Sequence, residues 1–284
     1  MRVHAPRGET GWLVVASAHS GRHYPQEMVA ASRLDPHALR RSEDAFVDAL
    51  FADAPELGAP LVTTDYARAF VDLNRARDEI DPLLFDGVDA SQPGARSLRV
   101  VAGLGVVPRS VGDGEGIYAR RLPRAEAARR LALVYDPYHD ALAATLDAAR
   151  ARHGASLLLD CHSMPRAATG PNGPDVVLGD RFGAACAPQV TATAAAVLRE
   201  AGLVVARNAP YAGGHATGLH GRPAFASQAL QIEINRSLYL VEGALTLKPG
   251  FDALRAVMAR LISCLTDCHE TASIIRTAQL PAAE

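Results

Sequence analysis

The chain has 284 residues, of which 49% are hydrophobic, so it can bury a large core. Its 29 basic and 31 acidic side chains nearly cancel, and this balance disfavours binding to nucleic acid or to an anionic membrane surface. The four cysteines form no CxxC pair and are too few for a disulfide scaffold, so we expect a reduced, cytoplasmic protein.

Short strands alternate with helical segments along the chain. The first apolar run is short and follows charged residues, so it predicts a strand and neither a signal peptide nor a membrane span. Apolar runs predict strands over residues 12–18, 59–67, 156–163, 202–208 and 229–235. Helical periodicity predicts helices over residues 40–54, 124–152, 182–201 and 251–276. We therefore expect an α/β fold, with a mixed, mostly parallel sheet and helices on both faces, in one domain over residues 1–284.

Polar side chains with metal-binding or acid–base chemistry stand at the ends of three predicted strands. His19 follows the first strand, His162 ends the third, and Glu233 lies inside the apolar last strand. In open α/β sheets, ligands bind beyond the carboxyl ends of the strands. These three side chains are therefore expected to meet at one edge of the sheet.

Two histidines and a carboxylate are the ligand set of a catalytic zinc site that keeps one position for water. The residue pattern leaves Glu43 and Asp44 open as the carboxylate, in the first turn of a helix that Ser42 would cap. A metal-free triad that uses Ser163 and His162 is the rival interpretation. It is disfavoured because the sequence lacks a G-x-S-x-G elbow between a strand and a helix there.

Six segments in order resemble the motifs of the N-formylglutamate amidohydrolase family: ASAHSGRHYP, YARAFVDLNRARDEIDPLLF, DPYHDAL, LLLDCHSMP, GGHATGLHGRP and LQIEINRSLYL. The resemblance extends over residues 16–240. It implies a fold similar to that of the zinc-dependent exopeptidases and amidases, with a metal at the carboxyl ends of the strands. It also implies hydrolysis of N-formyl-L-glutamate to formate and L-glutamate, a step of histidine degradation.

The resemblance also assigns roles residue by residue. It implies His19, Asp44 and His162 as ligands of Zn²⁺ or another divalent metal, with Asp44 in preference to Glu43. Glu233 matches the general base of related amidases. His215, in the glycine-rich segment 211–223, is expected to contact the substrate or the transition state.

A substrate with two carboxylates requires cationic partners, and arginine binds carboxylates through two parallel hydrogen bonds. The motifs therefore predict substrate-binding side chains at Arg68, Asn74, Arg75, Arg222, Asn235 and Arg236. Asp160, two residues before His162, is a candidate acceptor for an imidazole N–H. His139 and His220 are left between a structural and a functional role.

Two alternatives accompany this assignment. Segment 103–123 departs in length and composition from some members of the family, so the substrate could be another N-acyl amino acid or a peptide amide. A catalytically idle small-molecule-binding protein on the same fold is the other alternative, and a metal assay separates it from an enzyme. The sequence predicts no oligomeric state.

Overall fold

The computed structural model describes residues 1–112 and 114–268. Strands and helices alternate along much of the chain. The strands are β1 Arg2–His4, β2 Leu13–Ser17, β3 Leu61–Thr63, β4 Ser156–Met164, β5 Val176–Gly179, β6 Val205–Arg207, β7 Ser227–Asn235, β8 Leu240–Val241 and β9 Thr246–Leu247. The α-helices are α1 Gln26–Ala31, α2 Pro36–Leu39, α3 Val47–Leu50, α4 Leu98–Val101, α5 Arg124–Arg130, α6 Asp136–His153, α7 Pro188–Glu200, α8 His215–His220 and α9 Phe251–Asp267.

A seven-stranded sheet has the order β1-β3-β2-β4-β7-β5-β6. β4 pairs in parallel with β2 and with β7, whereas β5 runs antiparallel to β7. All residues of the central β4 are buried, as expected for a strand whose run of three leucines is covered on both faces. The predicted α/β class with a mixed, mostly parallel sheet is confirmed.

The five predicted strands are all present, as β2, β3, β4, β6 and β7. β1, β5, β8 and β9 were not predicted, since each is too short to show a clear period. The helix predicted over residues 124–152 is confirmed, with a π-helical turn at Leu131–Tyr135 between α5 and α6. Residues 81–112 are mostly irregular, with short helical elements at Gly94–Arg96 and Leu98–Val101.

Two predicted helices differ in extent. The helix predicted over residues 182–201 begins only at Pro188, because Arg181 and Phe182 have φ values of 53° and 58°, which are incompatible with a right-handed helix. The helix predicted over residues 251–276 is observed as α9, and residues 269–276 lie outside the described residues.

The continuous helix predicted over residues 40–54 is wrong. A 3₁₀ turn covers Arg40–Ser42, and Phe46 has a left-handed φ of 63° directly before α3. Ser42 therefore caps no helix, and Glu43 and Asp44 lie between two helical turns rather than in the first turn of one. The physical reason is that Asp44 bonds elsewhere, since its backbone N–H donates to the carbonyl oxygen of His19 at 3.0 Å.

The chain forms two compact units. The first comprises Met1–Arg2, Ala18–Asp44 and Thr63–Ala141. The guanidinium of Arg130 is buried in it, where Nη1 donates to the Phe70 carbonyl and to the Tyr118 hydroxyl. Such a charge tolerates burial because several acceptors replace its water shell.

Among the described residues, the second unit comprises Val3–Ser17, Ala45–Val62 and residues 142–268. It holds the sheet's central strands and the hydrophobic core cluster around them. α9 buries a stripe of side chains at helical spacing: Phe251, Leu254, Met258, Leu261, Ile262 and Leu265. Trp12 anchors the end of this helix, because its indole N–H donates to the carbonyl oxygen of Leu265 at 2.9 Å. The prediction of one domain over residues 1–284 stays a prediction.

Within the described residues, no helix combines the length and the apolar character that crossing a bilayer requires.

Candidate active site

His19 is buried just after β2, and carboxylates meet both of its ring nitrogens. Nδ1 lies 3.3 Å from Oδ2 of Asp44, and Nε2 lies 2.7 Å from Oδ1 of Asp72. The hydroxyl of Ser20 donates to the backbone oxygen of Asp44 at 3.1 Å, which adds to the backbone bond between Asp44 and His19. The imidazole ring is thus oriented from two sides.

Asp72 is held by cations as well as by His19. Its Oδ2 accepts from Nε of Arg68 at 3.0 Å and lies 3.5 Å from Nη2 of Arg75, while Oδ1 also accepts the backbone N–H of Asn74 at 2.9 Å. Burial alone would raise the pKa of Asp72, but Arg68, Arg75 and His19 hold it well below its usual range. An ionised Asp72 accepts the Nε2 proton of His19, which directs Nδ1 toward Asp44.

His162, in β4, is oriented by a separate carboxylate. Its Nε2 lies 2.9 Å from Oδ1 of Asp160, which is two residues earlier and therefore on the same face of the strand. The other oxygen of Asp160 accepts the hydroxyl of Thr217, in α8, at 3.1 Å. The predicted hydrogen bond between Asp160 and His162 is confirmed.

The three predicted metal ligands meet. One ligand atom from each of His19, Asp44 and His162 lies within 4.8 Å of the other two, and all three residues are buried. This His-Asp-His group could bind a metal ion. The alternative ligand Glu43 is engaged elsewhere, because Arg40 donates to both of its carboxylate oxygens and the Tyr24 hydroxyl donates to Oε1 at 2.7 Å.

Glu233 lies in β7 directly opposite His162 in the parallel register. It is 9% exposed. Its Oε1 accepts from Nε2 of Gln231 at 2.9 Å, and Gln231 is two residues earlier on the same face of the strand. The carboxylate is therefore buried beside the histidine strand and held by a neutral donor.

The arginines predicted to bind substrate differ in how the protein engages them. Arg75 is almost fully buried, and its Nε and Nη1 donate to the backbone oxygens of Leu104 and Asn74, each at 2.9 Å. The Arg68 side chain is 24% exposed while it contacts Asp72. These contacts favour Arg68 over Arg75 as the group that meets a substrate, and substrate contacts of Asn74 and Arg75 stay predictions.

The remaining predicted substrate contacts lie at the end of β7 and just before it. Nε of Arg236 donates to the Ser163 hydroxyl at 3.1 Å. Oδ1 of Asn235 accepts the backbone N–H of Ser237 at 3.0 Å, so this side chain caps a 3₁₀ turn. Arg222 is exposed and its backbone pairs with Ser227. Roles for Arg222, Asn235 and Arg236 in substrate binding stay predictions.

The three loop and helix histidines occupy distinct surroundings. His215 is the first residue of α8 and is half-buried. His220 ends the same helix, burial lowers its pKa, and its Nε2 has no hydrogen-bond partner among the described residues. Nε2 of His139 in α6 lies 3.0 Å from the carbonyl oxygen of Leu73.

Sequence reasoning missed Asp72, Thr217 and Gln231. Gln231 had a signal, because a polar residue two positions before Glu233 in an apolar strand shares its face. Asp72 lies within the DLNR motif, but its contact with His19, 53 residues away, has no local pattern. Thr217 contacts Asp160 across 57 residues and shows no sequence signal.

The chain is similar to known proteins along most of its length. A sequence profile of the N-formylglutamate amidohydrolase family matches residues 12–240. An N-formylglutamate deformylase from Pseudomonas aeruginosa is 31% identical, over 89% of this chain and 92% of that protein. An N-formylglutamate deformylase from Pseudomonas putida is 33% identical, over 81% of this chain and 82% of that protein.

The crystal structure of an N-formylglutamate amidohydrolase from Ralstonia eutropha is also similar. It is 36% identical, aligns with a TM-score of 0.87 and covers 98% of both chains. A protein from Agrobacterium tumefaciens that is 19% identical aligns with a TM-score of 0.62 over 92% of this chain and 93% of that one, and this likeness shows the fold alone. With the motifs, the family match and these relatives in agreement, the chain belongs to the N-formylglutamate amidohydrolase family.

Proposed function

We propose that the protein hydrolyses N-formyl-L-glutamate to formate and L-glutamate with the help of a divalent metal, Zn²⁺ being the first choice. The observation that carries this proposal is the convergence of His19, Asp44 and His162. The relatives named N-formylglutamate deformylase support the substrate. A role in histidine breakdown and a place in the cytoplasm belong to the same proposal.

The three residues fit a zinc ion in chemistry, and His19 and Asp44 also fit it in spacing. Two ligands about 2.0–2.1 Å from a tetrahedral zinc ion lie about 3.3 Å apart. Nδ1 of His19 and Oδ2 of Asp44 are separated by 3.3 Å. The opposite ring nitrogens, Nε2 of His19 and Nε2 of His162, are bonded to Asp72 and Asp160. Both histidines would therefore hold the metal through Nδ1, with a carboxylate fixing each ring from behind.

Glu233 is the proposed general base. A bound divalent metal would lower the pKa of its bound water and would polarise the carbonyl group of the substrate. The Glu233 carboxylate takes a proton from the attacking water and then delivers it to the nitrogen of the leaving glutamate, so the amide C–N bond breaks as the amine forms. His215 and Arg236 are proposed contacts of the substrate near this base.

Arg68 is the proposed partner of a substrate carboxylate. Its side chain is 24% exposed while Nε donates to Asp72 at 3.0 Å. Asp72 therefore orients the arginine without burying it. A planar guanidinium is the group that binds a carboxylate through two parallel hydrogen bonds.

Metal analysis together with substrate kinetics tests the proposal. The purified protein should contain about one divalent ion per chain and release formate from N-formylglutamate. N-formylglutamine should react less efficiently, because an unpaired guanidinium costs about 2–5 kcal/mol in kcat/KM. Arg68→Ala should narrow this preference, whereas Arg152→Ala, at an exposed arginine of α6, should leave it unchanged.

Two results would contradict the proposal. Protein without stoichiometric metal that still turns over would remove the metal from the reaction. Equal kcat/KM for the acid and the amide would reject the two-carboxylate substrate and would point to segment 103–123 as the origin of another acyl amino acid specificity.

A further inference from the structure

We propose that Gln231 is a positioning residue through which the glycine-rich segment, residues 211–223, fixes the carboxylate of Glu233. The inference rests on the proposed role of Glu233 as general base. It concerns the second compact unit alone, since every residue involved lies there.

The direction of the Gln231 amide is set by the protein backbone. Its Oε1 accepts the backbone N–H of Gly214 at 2.7 Å, and a backbone N–H can only donate. The NH₂ end must therefore point the other way, where it donates to Oε1 of Glu233 at 2.9 Å. The Gln231 side chain thus connects the backbone of Gly214 to the carboxylate of Glu233 by two hydrogen bonds.

The glycine-rich segment is itself firmly placed at Gly214 and Thr217. The hydroxyl of Thr217 lies 3.1 Å from Oδ2 of Asp160 and 3.4 Å from Oε1 of Gln231. A Cβ on Gly179, at the end of β5, would come within 2.7 Å of the backbone at Ala212, so the strand end and the segment are in direct contact. The segment is therefore a support against which Gln231 can hold Glu233.

The chemical consequence follows from how a general base works. A base must lie within hydrogen-bond reach of the proton that it takes, and small displacements of catalytic groups reduce rates strongly. The donor on Oε1 of Glu233 restricts the rotamer of that carboxylate. The bond from Gln231 to Glu233 should consequently affect kcat, the rate of the chemical step. The bond from Gln231 to Gly214 should affect KM, through the position of the glycine-rich segment at the substrate.

Gln228 in the same strand offers a matched control. It is buried like Gln231, and its Oε1 also accepts a backbone N–H, that of Ala187, at 2.7 Å. Within the described residues, its side chain makes no hydrogen bond to Glu233 or to the glycine-rich segment. A glutamine that only stabilises the end of a strand should therefore behave as Gln228 does.

The experiment compares Gln231→Glu, Gln231→Met, Gln228→Glu, Gln228→Met and Glu233→Gln. For each, kcat and KM for N-formylglutamate, metal content and Tm are measured separately. Gln231→Glu keeps an acceptor for Gly214 but places a carboxylate against Glu233. We expect its kcat to fall at least about tenfold with KM within about threefold of the parent. Gln231→Met loses both bonds, so kcat should fall and KM should rise, at parental metal content.

The two Gln228 variants should lower Tm while kcat stays within about twofold of the parent. A parental kcat in either folded Gln231 variant would overturn the inference, as would an equal loss of kcat in the Gln228 variants. If Glu233→Gln itself keeps the parental kcat, the proposed base is wrong, and that result is distinct from a failure at Gln231 alone.

Discussion

The two histidines of the site are supported by carboxylates in opposite electrostatic surroundings. Asp72, behind His19, contacts two guanidinium groups and a backbone N–H. Asp160, behind His162, accepts a neutral threonine hydroxyl. The first carboxylate shares its charge with Arg68 and Arg75, whereas the second directs its charge mainly at the imidazole.

This difference shows that two similar histidine–carboxylate pairs need not contribute equally to metal affinity. Removing the charge of Asp72 takes from Arg68 and Arg75 the carboxylate that they share, so their positive charge would repel a metal ion, and it also releases the ring of His19. Removing the charge of Asp160 acts on a neutral threonine hydroxyl and on the ring of His162. We therefore expect unequal losses at the two positions, and the following variants measure them.

The largest effect should come from the histidines themselves. His19→Ala or His162→Ala removes one of three ligands, so bound metal and activity should be lost while the fold is retained. Elemental analysis and circular dichroism check this outcome. His153→Ala is the control, since Nε2 of His153 bonds the carbonyl oxygen of Thr10 instead. Stoichiometric metal in both ligand variants would show that the site is misassigned.

Asp72→Asn should come next, with a loss of metal affinity of about a hundredfold, the upper end for groups behind a ligand. Competition with a chelator measures it. Asp81→Asn is the matched control, because Asp81 is buried, accepts from Nε of Arg109 at 2.7 Å and accepts the backbone N–H of Leu83. A loss no greater than that of Asp81→Asn would reject the role of Asp72.

The pH dependence of stability should identify the same carboxylate. The pKa of Asp72 is lowered on folding, so its contribution is fully present above the unfolded value of about 3.9 and is lost as pH falls through the lower folded pKa. In metal-free protein, the unfolding free energy of the parent should exceed that of Asp72→Asn at neutral pH, and the gap should close only in strong acid. A gap that closes near pH 6 would contradict this assignment.

Asp160→Asn should weaken metal binding by about tenfold, the lower end of the same range, because the hydroxyl of Thr217 that also bonds Asp160 is neutral. The control is Asp180→Asn. Asp180 is buried, accepts the hydroxyl of Thr191 at 3.0 Å as Asp160 accepts that of Thr217, and contacts no histidine in the described structure. It also pairs with Arg207, so its loss should show in stability and not in metal affinity. If Asp160→Asn costs more than Asp72→Asn in the chelator competition, the comparison between the two pairs is reversed.

Thr217→Val should have the smallest effect. It removes a neutral donor from Asp160 at nearly constant volume, which leaves an acceptor unsatisfied at a cost of about 1–3 kcal/mol in stability. Metal affinity should change by less than in Asp160→Asn. Thr191→Val, which removes the equivalent donor from Asp180, should lower Tm without any change in metal affinity.

Features with local periodicity could be predicted from the sequence. The three leucines of β4 predicted a buried strand of the sheet. The histidines at the ends of β2 and β4 predicted that His19 and His162 lie close together, because parallel strands end at the same edge. Helix periodicity predicted α5, α6 and α9 well. The approximate position of Glu233 followed from its place in an apolar strand.

Features that depend on distant contacts could not be predicted. The residue pattern alone left Glu43 and Asp44 open and the resemblance favoured Asp44, but the bonds of Glu43 to Arg40 and Tyr24 and of Asp44 to His19 required the folded chain. The expected helix start there failed because the long-range backbone bond to His19 took precedence over capping propensity. The support of His19 by Asp72 likewise required the folded chain.

Gly179 lets the end of β5 pack directly against the backbone of residues 212 and 213. A single methyl group there would sit 2.7 Å from the backbone of Ala212 and of Gly213, a separation that neither backbone can absorb without moving. Gly179→Ala would therefore displace the neighbouring loop. The substitution adds no charge and removes no hydrogen-bonding side chain. The absence of one carbon atom at this position sets how closely two stretches of main chain approach.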